Sequence, residues 1–114
     1  MTEKRLERFP RTRRLRSAEL GRVRRSGKRQ RLGHLDLWWA DNEAGHPRMG
    51  LVVPKFQSNG VARNRLRRRV SELWRRELMA TMPCRDVVIR ARPEAYGASF
   101  AELREELRAW VRSC

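Results

Sequence analysis

Between Gly60 and Val70 the chain reads GVARNRLRRRV, with arginines at 63, 65, 67, 68 and 69 and a lone asparagine at 64. A guanidinium presents a planar fork of N–H donors that fits a phosphate bidentately, and its flat face stacks on bases. Such a run is chemistry for holding a polyanion. It is not chemistry for cutting one. Autonomous phosphodiester hydrolysis needs a carboxylate cluster for metal ions or a histidine acid–base pair. The 13 acidic residues are scattered, and the densest group, Glu102, Glu105 and Glu106, reads as solvated decoration of a terminal helix. His34 and His46 stand in unrelated surroundings without an evident partner. Cys84 and Cys114 have neither metal-ligand spacing nor the look of a disulfide framework, and are read as reduced thiols.

The charge of the whole chain supports the same chemistry. There are 28 Lys+Arg against 13 Asp+Glu, a formal net charge of +15 over 114 residues. So many like charges oppose compaction, and a polyanionic partner is what offsets them. Residues 1–31 hold 13 basic and 3 acidic side chains, and residues 61–80 hold 7 and 2. The two segments between and after them are nearly balanced. No apolar run approaches the roughly 20 residues needed to span a bilayer. The basic N-terminus lacks the apolar stretch of a signal peptide. The expectation is a soluble, cytoplasmic protein with no membrane partner: a mobile basic tail over 1–12 and a single RNA-binding α+β domain over 13–114.

The elements that must position the arginines follow from periodicity. A first helix is read from Arg13, with Leu15, Ala18, Leu20 and Val23 as its stripe and Gly27 as its end. Leu32 to Ala40 alternates as a half-buried strand, with Leu35, Leu37 and Trp39 on one side and His34, Asp36 and Trp38 on the other. Asp41 to Gly45 is a turn, and Met49 to Val53 is read as the strand closing a hairpin. Ser58 or Asn59 caps a long helix from about Val61 to Met79. Asp86 to Ala91 is a short apolar strand. Ser99 then opens a last helix, with Glu102 at the capping-box position and Phe100, Leu103, Leu107, Trp110 and Val111 as its stripe. The fold class expected is α+β: a small four-stranded sheet packed with three helices as an α-β sandwich.

At about 100° per residue, the long helix turns Ala62, Leu66, Val70, Leu73 and Trp74 inward. Asn64, Arg68, Ser71 and Arg75 face outward, with Arg65 and Arg76 flanking on one side and Arg67 on the other. Arg69 sits near the core border and must snorkel. Glu72 and Glu77 can pair with neighbours such as Arg68 or Arg76, which leaves most of the seven arginines unpaired.

These residues resemble the "RNR" motif of the bacterial ribonuclease P protein subunit. The family pattern AVxRNxxKRxxRE aligns without gaps to residues Gly60 to Glu72. Gly50-Leu51-Val52-Val53-Pro54-Lys55 resembles the preceding strand, Asp86-Val87-Val88-Ile89 the following one, and Arg14-Leu15 the pair opening the first helix. The resemblance covers about residues 13–111. It departs at Ser71, where the family has arginine, and at Gly60, Phe56, Glu19-Leu20 and Arg24, the pair replacing Asp-Phe and Arg24 replacing an aromatic. It implies a left-handed βαβ connection around the long helix. It further implies a protein, one per RNA and itself monomeric, that supports Mg²⁺-dependent removal of the 5′ leader from precursor tRNA. Catalysis belongs to the ribonuclease P RNA, and the Mg²⁺ is held by that RNA and the substrate. By resemblance, Arg63, Asn64, Arg65, Arg67, Arg68 and Arg75 bind the catalytic RNA. Leu20, Arg24, Trp38 and Lys55 line a cleft for the leader, although either tryptophan of the strand has core packing as its alternative. A small basic ribosomal protein shares the charge and size but needs no leader cleft. A DNA-binding module lacks a recognisable helix-turn-helix pairing.

Overall fold

The run Asp-Val-Val-Ile from Asp86 to Ile89 is apolar in both side-chain directions at its centre, and such a strand must be covered on both faces. In the computed structural model, which describes residues 14–55 and 59–113, that strand lies inside the sheet. The expected tail over 1–12, together with Phe56, Ser58 and Cys114, lies outside the described residues. Helix α1 (Ser17–Ser26) is followed by β1 (Lys28–Arg31), β2 (Leu35–Asp41) and β3 (Arg48–Val52). Helix α2 (Gly60–Leu73) continues as a π turn (Trp74–Leu78), then β4 (Arg85–Ala91), a 3₁₀ turn (Pro93–Gly97) and α3 (Phe100–Ser113). The sheet order is β1-β2-β4-β3, with β4 antiparallel to β2 and parallel to β3.

Four expectations are corrected. The strands β2 and β3 form no hairpin, because β4 lies between them and hides Val87, Val88 and Ile89 completely. The first helix begins at Ser17, not Arg13: Arg14 instead bridges Met49 in parallel, and the Leu15 N–H donates to the Met49 carbonyl at 3.1 Å, covering the open edge of β3. Strand β2 is buried on both faces, not half-buried, with Leu35, Asp36, Leu37 and Trp38 all inside. Phe100 is 40% exposed and outside the stripe of α3, which Leu103, Leu107 and Trp110 carry. Strand β1, KRQR, had no apolar alternation to announce it; all four residues are exposed on the sheet edge, where charge discourages further pairing.

The two faces of the sheet are covered differently. Leu35, Leu37, Met49, Val87 and Ile89 pack with α2 and α3 in the main core, alongside Leu66, Val70, Trp74, Leu103 and Trp110. On the other face a smaller cluster of Leu15, Val23, Trp38 and Val88 sits under α1, flanked by Leu20 and Val52. Gly27 ends α1 where a Cβ would stand 2.6 Å from both the Trp39 and Val23 carbonyl oxygens, so only glycine fits. Helix α3 has the expected capping box: Ser99 N–H to Glu102 Oε1 at 2.9 Å, and Glu102 N–H to Ser99 Oγ at 3.1 Å. The Ser99 N–H holds the Glu102 carboxyl below the usual carboxylate range.

Candidate nucleic-acid interface

Helix α2 starts where the Ala62 N–H donates to the Asn59 side chain at 2.8 Å, so Asn59 is the cap. Its inner face, Leu66, Val70 and Leu73, is buried as the 3.6-residue period requires, and that burial fixes which side chains point away. Asn64, Arg65, Arg67 and Arg68 are exposed. Arg65, Arg67 and Arg68 make no ion pair among the described residues. A shallow concavity of about 360 Å³ is lined by Val61, Asn64, Arg65, Arg68 and Arg69, with Val61 itself 67% exposed.

The remaining arginines of this helix are tied down. Arg63 Nε donates to the Val53 carbonyl at 2.8 Å, fastening the first turn of α2 to the end of β3. Arg69 snorkels along the surface to donate to the Ala98 carbonyl at 3.2 Å. Arg75 does not take the outer position the helical wheel gives it. The helix widens into a π turn from Trp74, where the Met79 N–H donates to the Trp74 carbonyl at 2.8 Å, five residues back. Arg75 is only 18% exposed and paired with Glu72, which also takes Arg76 at 3.0 Å. Glu77 turns to Arg104 and Arg108 of α3 instead of its own helix. Ser71 is half-buried beside them.

The second surface is the sheet face beneath α1. Counting by register, Arg29 stands opposite Trp38, and Asp36 opposite Arg90, all on the side that carries Gly50 and Val88. Trp38 is 5% exposed, and the guanidinium carbons of Arg24, Arg29 and Arg90 lie 4.9, 5.1 and 5.5 Å from its ring centroid. Trp38 packs in the small core, as its alternative reading has it, and cations cover its ring. Leu20 is half-buried against Gly50, where a Cβ would fall 1.9 Å from Leu20 Cδ2. Lys55 is exposed, three residues beyond β3.

What anchors α1 to this face is a carboxylate the sequence reading passed over. Asp86, 2% exposed, accepts from Arg22 at 3.0 Å, from Asn42 at 2.8 Å and from Arg48 twice at 2.8 Å. Arg48 also reaches Glu19 at 2.9 Å. Its bonds to Asp86, outweighing partial burial, raise the Arg48 guanidinium further above its ordinary value. Arg29, Arg90 and Asp36 were missed as site residues as well. The alternation of β2 did place Asp36 with Trp38, but nothing in KRQR marked Arg29 as a strand residue facing them. His34, read as partnerless, pairs with Glu106, whose Oε1 also accepts the His34 backbone N–H at 2.9 Å. Among the described residues no group of three or more His, Cys, Asp or Glu side chains is placed to hold a metal ion. No helix is long and apolar enough to cross a membrane.

Comparison with known proteins gives one answer. The family model described as Ribonuclease P matches residues 9–114. The "Ribonuclease P protein component" of Syntrophobacter fumaroxidans is 42% identical over 94 residues, covering 82% of this chain and 79% of that protein. The component of the same name from Mycobacterium bovis is 31% identical, covering 90% and 88%. Among solved structures, the RNase P protein from Thermotoga maritima superposes with a TM-score of 0.78 at 24% identity, over 89% of this chain and 96% of that one. The Staphylococcus aureus RNase P protein gives 0.78 at 20% identity, over 88% and 93%. These two show a shared α+β fold of three helices and a mixed four-stranded sheet, while the sequence relatives and the family model carry the assignment. The chain belongs to the ribonuclease P protein-component family.

Proposed function

We propose that this chain serves its endoribonuclease complex as the RNA-positioning subunit, with catalysis left to the RNA. The observation that carries this is the row of Arg65, Arg67 and Arg68 on α2, exposed on a rigid rod and free of ion pairs among the described residues. Together with Asn64, and with Arg63 fixing the start of the helix, that row docks on the phosphates of the ribonuclease P RNA. Each phosphate it neutralises releases counterions, so affinity falls with salt. The face under α1, with Leu20, Arg24, Trp38 and Lys55, takes the single-stranded 5′ leader of precursor tRNA. One protein binds one RNA. The Mg²⁺ ions that cleavage requires sit on the RNA and its substrate, and no step here is routed through a metal on the protein. A ribosomal role is not favoured by the relatives.

Mixing the chain with ribonuclease P RNA and labelled precursor tRNA at low Mg²⁺ tests the reading. Restored multiple-turnover cleavage is expected. Cleavage by the protein without the RNA overturns it. Arg68→Glu is expected to weaken binding to the catalytic RNA at moderate salt. Leu20→Phe, which forces a larger ring against Gly50, is expected to change the preference for leader-bearing over leaderless substrate.

A further inference from the structure

Trp38 offers a large aromatic face, yet in the free protein no base reaches it. Three guanidiniums stand over the ring, and the residue is 5% exposed. Two residues earlier on the same side of β2, Asp36 is 2% exposed and badly satisfied. Its Oδ2 meets Arg90 Nη2 only at 3.4 Å, and its Oδ1 is buried with no hydrogen-bond partner. A buried carboxylate oxygen without a donor is destabilising, and it leaves an acceptor open beside the ring. A carboxylate is an acceptor only.

We propose that Asp36 and Trp38 form a base-reading pocket for one nucleotide of single-stranded RNA, closed in the free protein by Arg24, Arg29 and Arg90. The proposal deepens the leader-binding reading above and rests on it. Three like charges around one ring repel each other, and phosphates flanking an incoming nucleotide are stronger partners for them than an aromatic face. Arg90 links the two halves of the pocket, since it lies both over Trp38 and against Asp36. Transfer of Arg90 to a phosphate frees the carboxylate, and with Arg24 and Arg29 following it the guanidinium-covered side of the ring opens as well. The base then stacks on Trp38 and its amino group donates to Asp36 Oδ1. Cytosine presents the N4 amino donor where uracil, a ring of the same size, presents the O4 acceptor. The carboxylate accepts from the first and repels the second.

The test uses the full chain assembled with ribonuclease P RNA, and precursor tRNAs whose leaders carry cytosine or uracil at each position in turn. At one leader position cytosine is expected to bind tighter by about ten-fold, the worth of a hydrogen bond to a charged group. Asp36→Asn, of the same shape but able to donate as well as accept, is expected to abolish most of that preference. Arg90→Gln is expected to lower affinity for both leaders while keeping cytosine ahead. The readout is a ratio within one preparation, so partial unfolding of a variant does not disturb it. Equal binding of cytosine and uracil at every position, or a preference that survives Asp36→Asn, overturns the pocket. If leader-bearing and leaderless substrates bind alike, the leader reading itself has failed, and the pocket with it.

Discussion

Arg65, Arg67 and Arg68 on α2 and Arg22, Arg24, Arg48 and Arg90 on the sheet face are the same side chain in two electrostatic settings. On α2 the guanidiniums project from a helix whose inner face is buried, and among the described residues they make no ion pair. On the sheet face each guanidinium is already engaged: Arg22 and Arg48 on Asp86, Arg90 on Asp36, Arg24 over Trp38. The difference separates charge that is open to a partner as it stands from charge already paired inside the domain, where Arg22 and Arg48 pin α1 and Arg24 and Arg90 must first be released. A basic patch read from composition alone merges the two.

The largest effect that separates them is expected at Asp86. Replacing it with alanine leaves Arg48, only 20% exposed, without its main partner and unpins α1. Breaking a buried pair by removing one member costs about 3–5 kcal/mol, and urea denaturation measures it. A loss within experimental error would mean that the inner arginines are as free as the outer ones. The complementary variant changes Arg65, Arg67 and Arg68 together to glutamine. Stability should stay within about 0.5 kcal/mol, as for surface substitutions generally. The slope of log affinity for the catalytic RNA against log salt should fall by about one for each phosphate contact removed. Unchanged slope would place the docking face elsewhere.

Gly50 tests how tightly α1 is seated. A Cβ there meets Leu20 Cδ2 at 1.9 Å and Leu15 Cβ at 3.2 Å. Gly50→Ala is expected to destabilise by about 1–3 kcal/mol, the usual range for overpacking. Adding Leu20→Ala should recover part of that loss in thermal melts, because the flexible half of the clash is gone. No recovery would show that the Leu15 contact sets the spacing.

How much of this was legible in the sequence depends on whether a signal was local. The inner face of α2 and the capping box at Ser99 and Glu102 are local patterns and stand as read. Strand order is a global property: Met49 to Val53 after a turn looked like the second arm of a hairpin, and only the need to bury Val87, Val88 and Ile89 on both sides puts β4 between them. Strand β1 carried no apolar residue to reveal it. The Asp86 network joins residues 22, 42, 48 and 86, and no single window of sequence contains it. The candidate RNA face was therefore readable at α2, where function and local pattern coincide. Beneath α1, where the residues come from α1 and all four strands, the sequence named Leu20, Arg24, Trp38 and Lys55 and nothing of the charged groups around them.

The smallest expected effect is the most specific to the comparison. On the helical wheel Arg75 belongs with Arg68, seven residues and nearly two full turns along. Its pairing with Glu72 puts it in the other class. Its guanidinium is 18% exposed, and its Nε is buried without a partner, so it is not arranged to reach a phosphate. Arg75→Gln should then leave the salt slope of RNA binding where it was, in contrast to Arg68→Gln, which should lower it by about one. Stability should shift little, since a partly exposed ion pair contributes about 0–1 kcal/mol. Equal slopes for the two variants would mean that Arg75 leaves Glu72 on binding. The line between engaged and available arginines would then run through Asp86 alone.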